Sequence, residues 1–204
     1  MEWYKKEAEQ GHADAQYHLG LCYHYGQGVA QDDAKAVEWY QKAAAQGNAK
    51  AQNLLGWCYQ HGIGVVQDDK KAVEWYQKAA DRLLKAQANL GWCYEKGKGV
   101  AQDYVKAVEW YQKAAAQGVA GAQYHLGVCY QDGKGVAQDD KKAVEWYQQA
   151  ADQGVAAAQC MLGWCYEEGK GVAQDYAKAV EWYQKAAAQG NAYAQRRIEE
   201  LQKR

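Results

Sequence analysis

The pentapeptide Ala-Val-Glu-Trp-Tyr occurs five times in this chain, and the repeat that it marks constrains the fold more than any other feature. The copies begin at residues 36, 72, 107, 143 and 179, so the period is 36, 35, 36 and 36 residues. A partial copy, Glu2-Trp3-Tyr4, opens the chain. A period of this size is typical of stacked supersecondary units, each too small to bury its own apolar face. The sequence therefore predicts an array of repeats, although it does not identify a partner.

Each repeat contains two segments that we predict to be helices, named helix A and helix B. In the first full repeat, helix A covers residues 12–25, and helix B follows Asp32 and runs to Gly47. Glycine adopts positive φ without steric penalty and so ends helices, while an aspartate side chain accepts backbone N–H groups where a helix begins. The predicted helix A stops are Gly26, Gly62, Gly97, Gly133 and Gly169, and the predicted helix B N-caps are Asp32, Asp68, Asp103, Asp139 and Asp175.

The residues of one repeat resemble the Sel1-like repeat, a relative of the tetratricopeptide repeat. The resemblance rests on Ala-x-Ala-Gln-x-x-Leu-Gly-x-x-Tyr-x-x-Gly-x-Gly-Val-x-Gln-Asp at 13–32 and on Lys-Ala-Val-x-Trp-Tyr-x-Lys-Ala-Ala at 35–44, and it covers essentially the whole chain. It implies an all-α fold, a right-handed superhelical α-solenoid of antiparallel helix pairs that holds proteins together. The family commonly has proline after Gly-Val, where this chain has Ala30.

The repeats are predicted to form one domain over residues 1–204, with a polar cap at each end. Solenoids need polar outer faces on their terminal units, and both ends of this chain are rich in Lys, Arg and Glu. We therefore expect a self-contained monomer. The predicted units are an N-terminal half-repeat at 2–11, full repeats at 12–47, 48–82, 83–118, 119–154 and 155–190, and a capping helix at 191–204.

Comparison of the A helices predicts where a partner binds. Residues on a helix are rotated by about 100° from one to the next, so positions 14, 17, 18, 21, 24 and 25 share one side. These positions and their equivalents, which we call the A-helix face, vary between repeats, whereas the opposite side is almost constant. If the A helices line a concave groove, as the resemblance implies, the predicted protein- or peptide-binding residues are Tyr17, His18, Leu21, Tyr25, Asn53, Trp57, His61, Trp92, Lys96, Tyr124, His125, Val128 and Trp164.

Two simpler explanations of this pattern stay open. At positions 14, 24 and 25, drift on an exposed face accounts for the variation as well as binding does. Position 21 is apolar in every full repeat, which indicates either an exposed contact strip or packing between neighbouring A helices. The tryptophan of each helix B is predicted to be core; these are Trp39, Trp75, Trp110, Trp146 and Trp182.

Composition argues against several classes of function. The 24 basic and 25 acidic residues are evenly spread, so no basic stripe favours nucleic acid. No apolar run approaches the roughly 20 residues of a membrane span, and the first residues do not resemble a signal peptide. The chain contains no Ser or Thr, which removes hydroxyl nucleophiles and the phosphate-binding P-loop. We predict a non-enzyme; the cell-wall or β-lactam chemistry of some secreted relatives is a remote alternative.

The six cysteines are predicted to be free thiols. Five occupy the same position of successive repeats, and packed helices lie about 8–10 Å apart, whereas a disulfide requires Cα atoms within about 7 Å. The pairs His18–Cys22 and His125–Cys129 lie three repeats apart and cannot form one metal site. We expect no metal, no cofactor and a reducing, cytoplasmic location. The near-identical repeats also fit a consensus-designed scaffold with no native ligand, and that alternative stays open.

One junction between repeats departs from the period. Between Ala79 and Gln87 the chain is one residue shorter than elsewhere and lacks the usual glycine. The sequence predicts either a strained non-glycine turn or an extension of helix B into the junction. Either would make this junction the least stable step of the array.

Overall fold

The computed structural model describes residues 2–202 and shows an all-α chain. Over that range there are twelve helices and no strand, in two compact units of residues 1–103 and 104–204. The first unit contains α1 (Glu2–Glu9), α2 (Ala13–Tyr25), α3 (Asp33–Ala45), α4 (Ala49–His61), α5 (Asp69–Ala80) and α6 (Leu84–Lys96). The second contains α7 (Tyr104–Ala115), α8 (Ala120–Asp132), α9 (Asp140–Asp152), α10 (Ala156–Glu168), α11 (Tyr176–Ala188) and α12 (Ala192–Leu201).

Within each unit, every helix packs against the helices that precede and follow it in the chain. The A helices are α2, α4, α6, α8, α10 and α12, and the B helices are the odd-numbered ones. This arrangement confirms the predicted class, an α-solenoid of helix pairs. None of the helices within residues 2–202 combines the length and the apolar character needed to cross a membrane.

The predicted start and stop signals act as expected. Gly26 ends α2 in the left-handed conformation, with φ 67°, and Gly62 and Gly133 end α4 and α8 in the same way. Asp32 precedes α3, and its Oδ1 accepts a hydrogen bond of 3.0 Å from the Lys35 backbone N–H. Equivalent bonds begin α5, α9 and α11. Local backbone chemistry therefore sets the helix bounds.

The core of each repeat is built around the helix B tyrosine and a helix A glycine. Tyr76 is 1% exposed, and a Cβ built on Gly56 would lie 2.5 Å from its ring. The same glycine–tyrosine contact occurs between Gly127 and Tyr147. Because only glycine leaves room for the ring, this helical position tolerates no larger residue. The equivalent buried tyrosines are Tyr40, Tyr76, Tyr111, Tyr147 and Tyr183.

In the five full repeats, a glutamine joins helix A to the helix B before it. Gln52 donates through Nε2 to the Ala44 carbonyl at 3.1 Å, near the C-terminal end of α3. Gln123 makes the same contact with the Ala115 carbonyl of α7 at 3.2 Å. Since the last carbonyls of a helix have no partner within the helix, these side chains satisfy groups that would otherwise be buried without a hydrogen bond.

The helix B tryptophans lie at the edge of the core, so the prediction that they are core residues is correct only in part; Trp39, Trp75 and Trp182 pack against the buried clusters without being fully buried. They are partly buried, and in four repeats a lysine three residues later covers the indole. The distance from Lys42 Nζ to the Trp39 ring centroid is 4.0 Å, which is a cation–π contact. Trp39 and Tyr40 are adjacent, so about 100° separates them around the helix and only one of them points into the core. The tyrosine occupies that place.

The short junction forms an ordinary turn, so both predicted alternatives are wrong. Helix α5 ends at Ala80, Asp81 is right-handed with φ −67° and ψ −23°, and Leu83 is extended with φ −136° and ψ 110°. The Leu83 N–H donates to the Ala79 carbonyl at 2.9 Å. No non-glycine residue among residues 2–202 has positive φ. Removing one residue removes the left-handed step itself, so the turn needs neither strain nor a longer helix.

Candidate functional site

The A-helix face of α2 carries four predicted binding residues that differ in exposure. Tyr25 is 64% exposed, whereas Tyr17, His18 and Leu21 are partly buried. The His18 ring stacks on Tyr4 of α1, with centroids 5.1 Å apart. Burial raises the pKa of Tyr17 above its usual value, because desolvation disfavours the phenolate. Tyr25 is thus the residue of this group that is most available to a partner.

On α4 the predicted residues include one that serves packing. Asn53 is 6% exposed, and its Oδ1 accepts a hydrogen bond of 2.9 Å from Asn89 of α6. We therefore assign Asn53 to the contact between neighbouring A helices. Trp57 is partly buried against the core cluster of α3 and α4, and His61 is exposed. Position 21 of the repeat, which Trp57 occupies here, is therefore packed on the core and partly exposed at the same time.

Four rings of α2 and α4 form a connected aromatic group, which we call the aromatic cluster. The ring centroids of Tyr25 and His24 are 4.6 Å apart, those of His24 and Trp57 are 5.8 Å apart, and those of Trp57 and His61 are 5.0 Å apart. His61 Nδ1 also lies 2.9 Å from the Trp57 carbonyl oxygen. The cluster brings together three of the predicted binding residues, Tyr25, Trp57 and His61, and it also includes His24.

The third A helix of the first unit, α6, contributes Trp92 and Lys96. Trp92 is partly buried and Lys96 is exposed. The Lys96 ammonium lies 2.6 Å from Glu95 Oε1, so its charge is locally balanced. This helix therefore adds apolar surface and one paired charge to the A-helix face of the first unit.

In the second unit the predicted residues are partly buried. Tyr124 is partly buried, with its ring centroid 6.0 Å from that of Tyr147, and His125 stacks on Tyr111 of α7 at 5.1 Å and 7°. Val128 and Trp164 pack against the buried cluster of α9 and α10. The histidine position thus contacts the preceding helix B in both units, since His18 on Tyr4 is the same arrangement.

Sequence reasoning missed the role of position 24. In later repeats this position accepts a hydrogen bond from the core tyrosine: Tyr76 Oη donates to Gln60 at 2.7 Å, and Tyr147 Oη donates to Gln131 at 2.7 Å. In the first repeat the residue is His24, whose Nδ1 lies 2.6 Å from Asp33 Oδ1. The buried Tyr40 hydroxyl is consequently left without a partner. The single histidine among glutamine and glutamate at this position was the available signal.

Near the end of the second unit the same position holds a buried charge. Glu167 is 3% exposed and forms an ion pair with Arg197 of α12, while Tyr183 Oη donates to its Oε2 at 2.9 Å. Arg197 also pairs with Glu200 on its own helix. The ion pair raises the pKa of Arg197 further above its already high value. This network attaches the last helix to α10.

The second unit also contains an apolar pocket that the sequence analysis did not predict. It has a volume of about 330 Å³ and is lined by Cys160, Met161 and Trp164 of α10 and by Tyr193 of α12. Cys160 is 8% exposed, whereas Tyr193 is 43% exposed. The pocket therefore has a buried floor and an accessible rim.

Three buried cysteines of the A helices are held as protonated thiols. The six cysteines form no disulfide. Burial raises the pKa of Cys58, Cys93 and Cys165 to about 12, so these three thiols are neutral and weakly nucleophilic near pH 7. Within residues 2–202, no three His, Cys, Asp or Glu side chains lie close enough to share a metal ion. The arrangement offers aromatic and apolar surface for binding.

Comparison with known proteins gives one family and several solved structures. The profile of the Sel1 repeat matches residues 1–12, 13–48, 49–82, 84–119, 120–155 and 156–191. No curated protein shows significant sequence similarity to the chain.

Three solved structures illustrate the similarity. The chain is 42% identical, with a TM-score of 0.91 over 97% of its length, to c5321, a protective antigen of uropathogenic Escherichia coli with an SLR fold, and spans 43% of that protein. It is 37% identical, with a TM-score of 0.88 over 93% of its length, to a Sel1 repeat protein from Oxalobacter formigenes, of which it spans 76%. It is 29% identical, with a TM-score of 0.61 over 89% of its length, to the immunity protein Pa5087 from Pseudomonas aeruginosa, of which it spans 67%.

Proposed function

Because the chain belongs to the Sel1 repeat family, whose members are repeat scaffolds for protein interactions, we propose that it is a non-catalytic scaffold that binds a protein or peptide segment on its A-helix face. The observation that carries this proposal is the aromatic cluster of α2 and α4. Two further observations argue in the same direction. Burial raises the pKa of the Cys58, Cys93 and Cys165 thiols, which makes them weak nucleophiles at neutral pH, and the sequence contains no serine or threonine.

The aromatic cluster has the features of an interface anchor. Tyr25 exposes 64% of its surface, and His61 is exposed beside the partly buried Trp57. Tyrosine and tryptophan are enriched among the residues that dominate binding energy, since they bury a large area and lose few rotatable bonds. Trp57 is also held by the core beneath it. A rigid base with exposed rings on top lowers the entropy lost when a partner binds.

Selection from a random peptide library on the immobilised protein tests this function. We expect a selected peptide to bind the wild type, and Tyr25→Ala and His61→Ala to weaken binding by about tenfold or more, as for interface anchors. Tyr176→Ala is the matched control, because Tyr176 is an exposed tyrosine, 46% accessible, at the start of a B helix.

Two results would contradict this proposal. If Tyr176→Ala abolishes binding and Tyr25→Ala leaves it intact, the partner does not use the A-helix face. If repeated selections recover no peptide, the proposal fails and a consensus-designed scaffold without a native ligand becomes the better explanation.

A further inference from the structure

We propose that the apolar pocket of the second unit binds one aromatic ring, carried by the partner segment that the A-helix face engages. The pocket lies between α10 and α12, and its lining residues are Cys160, Met161, Trp164 and Tyr193. Cys160 and Met161 belong to the varying side of helix A, which is the A-helix face. The inference rests on the proposed function for the origin of the ring, but the ring-binding property itself can be tested alone.

The chain itself shows what kind of group fits at this place. Cys160 is the equivalent of Tyr17 in the first repeat and of Tyr124 in the fourth. There the phenol rings lie against the core tyrosine of the same repeat, with centroids 6.4 Å apart for Tyr17 and Tyr40 and 6.0 Å apart for Tyr124 and Tyr147. In the last full repeat cysteine supplies no ring at this position, and the ring beside the core tyrosine Tyr183 is that of Tyr193 from α12, with centroids 6.3 Å apart. The pocket therefore adjoins a place where a phenol ring packs beside the core tyrosine in three repeats.

The lining residues favour an aromatic ring over another apolar group of equal size. Two of the four carry sulfur, and sulfur makes favourable contacts with aromatic rings. The other two are a tryptophan and a tyrosine, whose rings can pair edge to face or offset with a third ring. The Tyr183 and Tyr193 centroids, 6.3 Å apart at 66°, already show edge-to-face geometry next to the pocket.

The size and position of the pocket fit a ring that arrives from solvent. An apolar cavity of about 150 Å³ suffices for benzene, and this pocket has about 330 Å³. The remaining volume accommodates the methylene that links a ring to a peptide backbone. Since Tyr193 at the rim is 43% exposed, the ring can enter without unfolding the helix pair.

The methionine content of the chain allows a sharp test with the intact protein. There are only two methionines, Met1 and Met161. In protein labelled with ¹³C-methyl methionine, one of the two methyl NMR signals therefore comes from the pocket wall. A Met161→Leu spectrum assigns that signal. Titration with p-cresol, the side-chain analogue of tyrosine, should shift the Met161 methyl resonance in a saturable manner through the ring current. We expect a dissociation constant of about 1 mM, as befits a ligand of few atoms.

Two variants and one matched ligand make the result specific. Cys160→Tyr restores the ring found in two other repeats, so it should fold and should abolish the p-cresol shift. Cys160→Ala keeps the space and removes the thiol, so it should bind as the wild type does. The aliphatic analogue 4-methylcyclohexanol has nearly the same size, and we expect it to bind several-fold more weakly. Equal affinity for the two ligands, or no saturable shift with p-cresol, overturns the assignment of an aromatic ring.

A competition experiment decides whether a partner carries the ring. A peptide selected on the A-helix face should displace p-cresol if it contains tyrosine or tryptophan, and should fail to do so once that residue is replaced by alanine. If p-cresol binds and no such peptide competes, the partner-borne ring is overturned while the ring-binding property of the pocket stands. Failure of the proposed function would instead appear as the absence of any selected peptide, with p-cresol binding unaffected.

Discussion

The Tyr40 hydroxyl is buried without a hydrogen-bond partner. Its effect on stability can be compared, within the same chain, with that of the hydrogen-bonded hydroxyls of Tyr76 and Tyr147. Removing the hydroxyl by Tyr40→Phe should stabilise the protein, whereas Tyr76→Phe and Tyr147→Phe should destabilise it. Each of the three rings lies over a helix A glycine. Tyr147 is the closest match to Tyr40, because a tyrosine ring also packs beside each of these two, and replacement by phenylalanine keeps the ring and removes only the hydroxyl.

The magnitudes follow from the geometry of each hydroxyl. Tyr76 and Tyr147 each donate a hydrogen bond of 2.7 Å to a glutamine, and such a bond contributes about 0.5–1.5 kcal/mol. The Tyr40 hydroxyl is buried without a partner, and an unpaired buried hydroxyl costs about 1–3 kcal/mol. We expect the free energy of unfolding to rise by about 1 kcal/mol in Tyr40→Phe and to fall by about 1 kcal/mol in the other two.

Guanidinium unfolding followed by helical circular dichroism measures these changes. A change of 1 kcal/mol corresponds to roughly 2–4 °C in Tm for a protein of this length. The control is a double-mutant cycle with His24→Gln, which gives Tyr40 the acceptor that Gln60 and Gln131 provide elsewhere. In that background Tyr40→Phe should become destabilising. The reasoning is refuted if Tyr40→Phe lowers stability as much as Tyr76→Phe does.

Three further predictions follow from the fold. Gly127→Ala should lower the free energy of unfolding by about 1–3 kcal/mol through overpacking, because its Cβ would lie 2.6 Å from the Tyr147 ring. A Cβ at Gly121, in the same helix, would meet nothing within 4 Å, so Gly121→Ala should raise the free energy of unfolding by up to about 1 kcal/mol. If thermal unfolding shows Gly127→Ala to be the more stable of the two variants, the packing argument is contradicted. Thiol titration should find six reactive groups in denaturant and slow reaction in the native protein. Burial raises the pKa of the Cys58 thiol to about 12. The stability that comes from keeping this thiol protonated in the folded state is therefore complete below the ordinary thiol pKa of about 8.5 and is lost as the pH rises towards 12. A Tm that does not change between those two pH values would count against the burial of the thiols. In hydrogen exchange, amides at 80–86 should be protected about as well as those at 44–50, because the short junction is an unstrained, hydrogen-bonded turn; faster exchange at 80–86 would show that it is the less stable junction.

The helix bounds and the repeat architecture could be predicted from the sequence because the rules involved are local. A glycine at Gly26 reaches φ 67° whatever lies around it, and Asp32 caps the first turn of α3 through its own neighbour. The sequence also showed that one side of helix A is constant between repeats, and the structure shows that this side is buried, with Ala15 and Leu19 at 5% and 1% exposure. Such signals depend on a few consecutive residues, and they recur in each repeat.

The candidate site could be predicted only in part, because the exposure of the varying side depends on residues from other helices. Tyr17 and Asn53 occupy equivalent positions, yet the first is partly buried against an aromatic ring and the second is buried against Asn89. The Trp39–Tyr40 pair shows the same limit, since either ring satisfies the helical pattern and only the glycine on the facing helix selects the tyrosine.

The sequence by itself determined the period, the helices, their caps and which side of helix A is constant between repeats, since these follow from backbone conformation and helical spacing. The tertiary structure decided which variable residues remain accessible, left the Tyr40 hydroxyl without an acceptor, and opened the pocket beside Cys160. Those features arise where side chains of two or three helices meet, and the volume, distance and hydrogen bonding at such meeting points are properties of the packed array rather than of any one repeat.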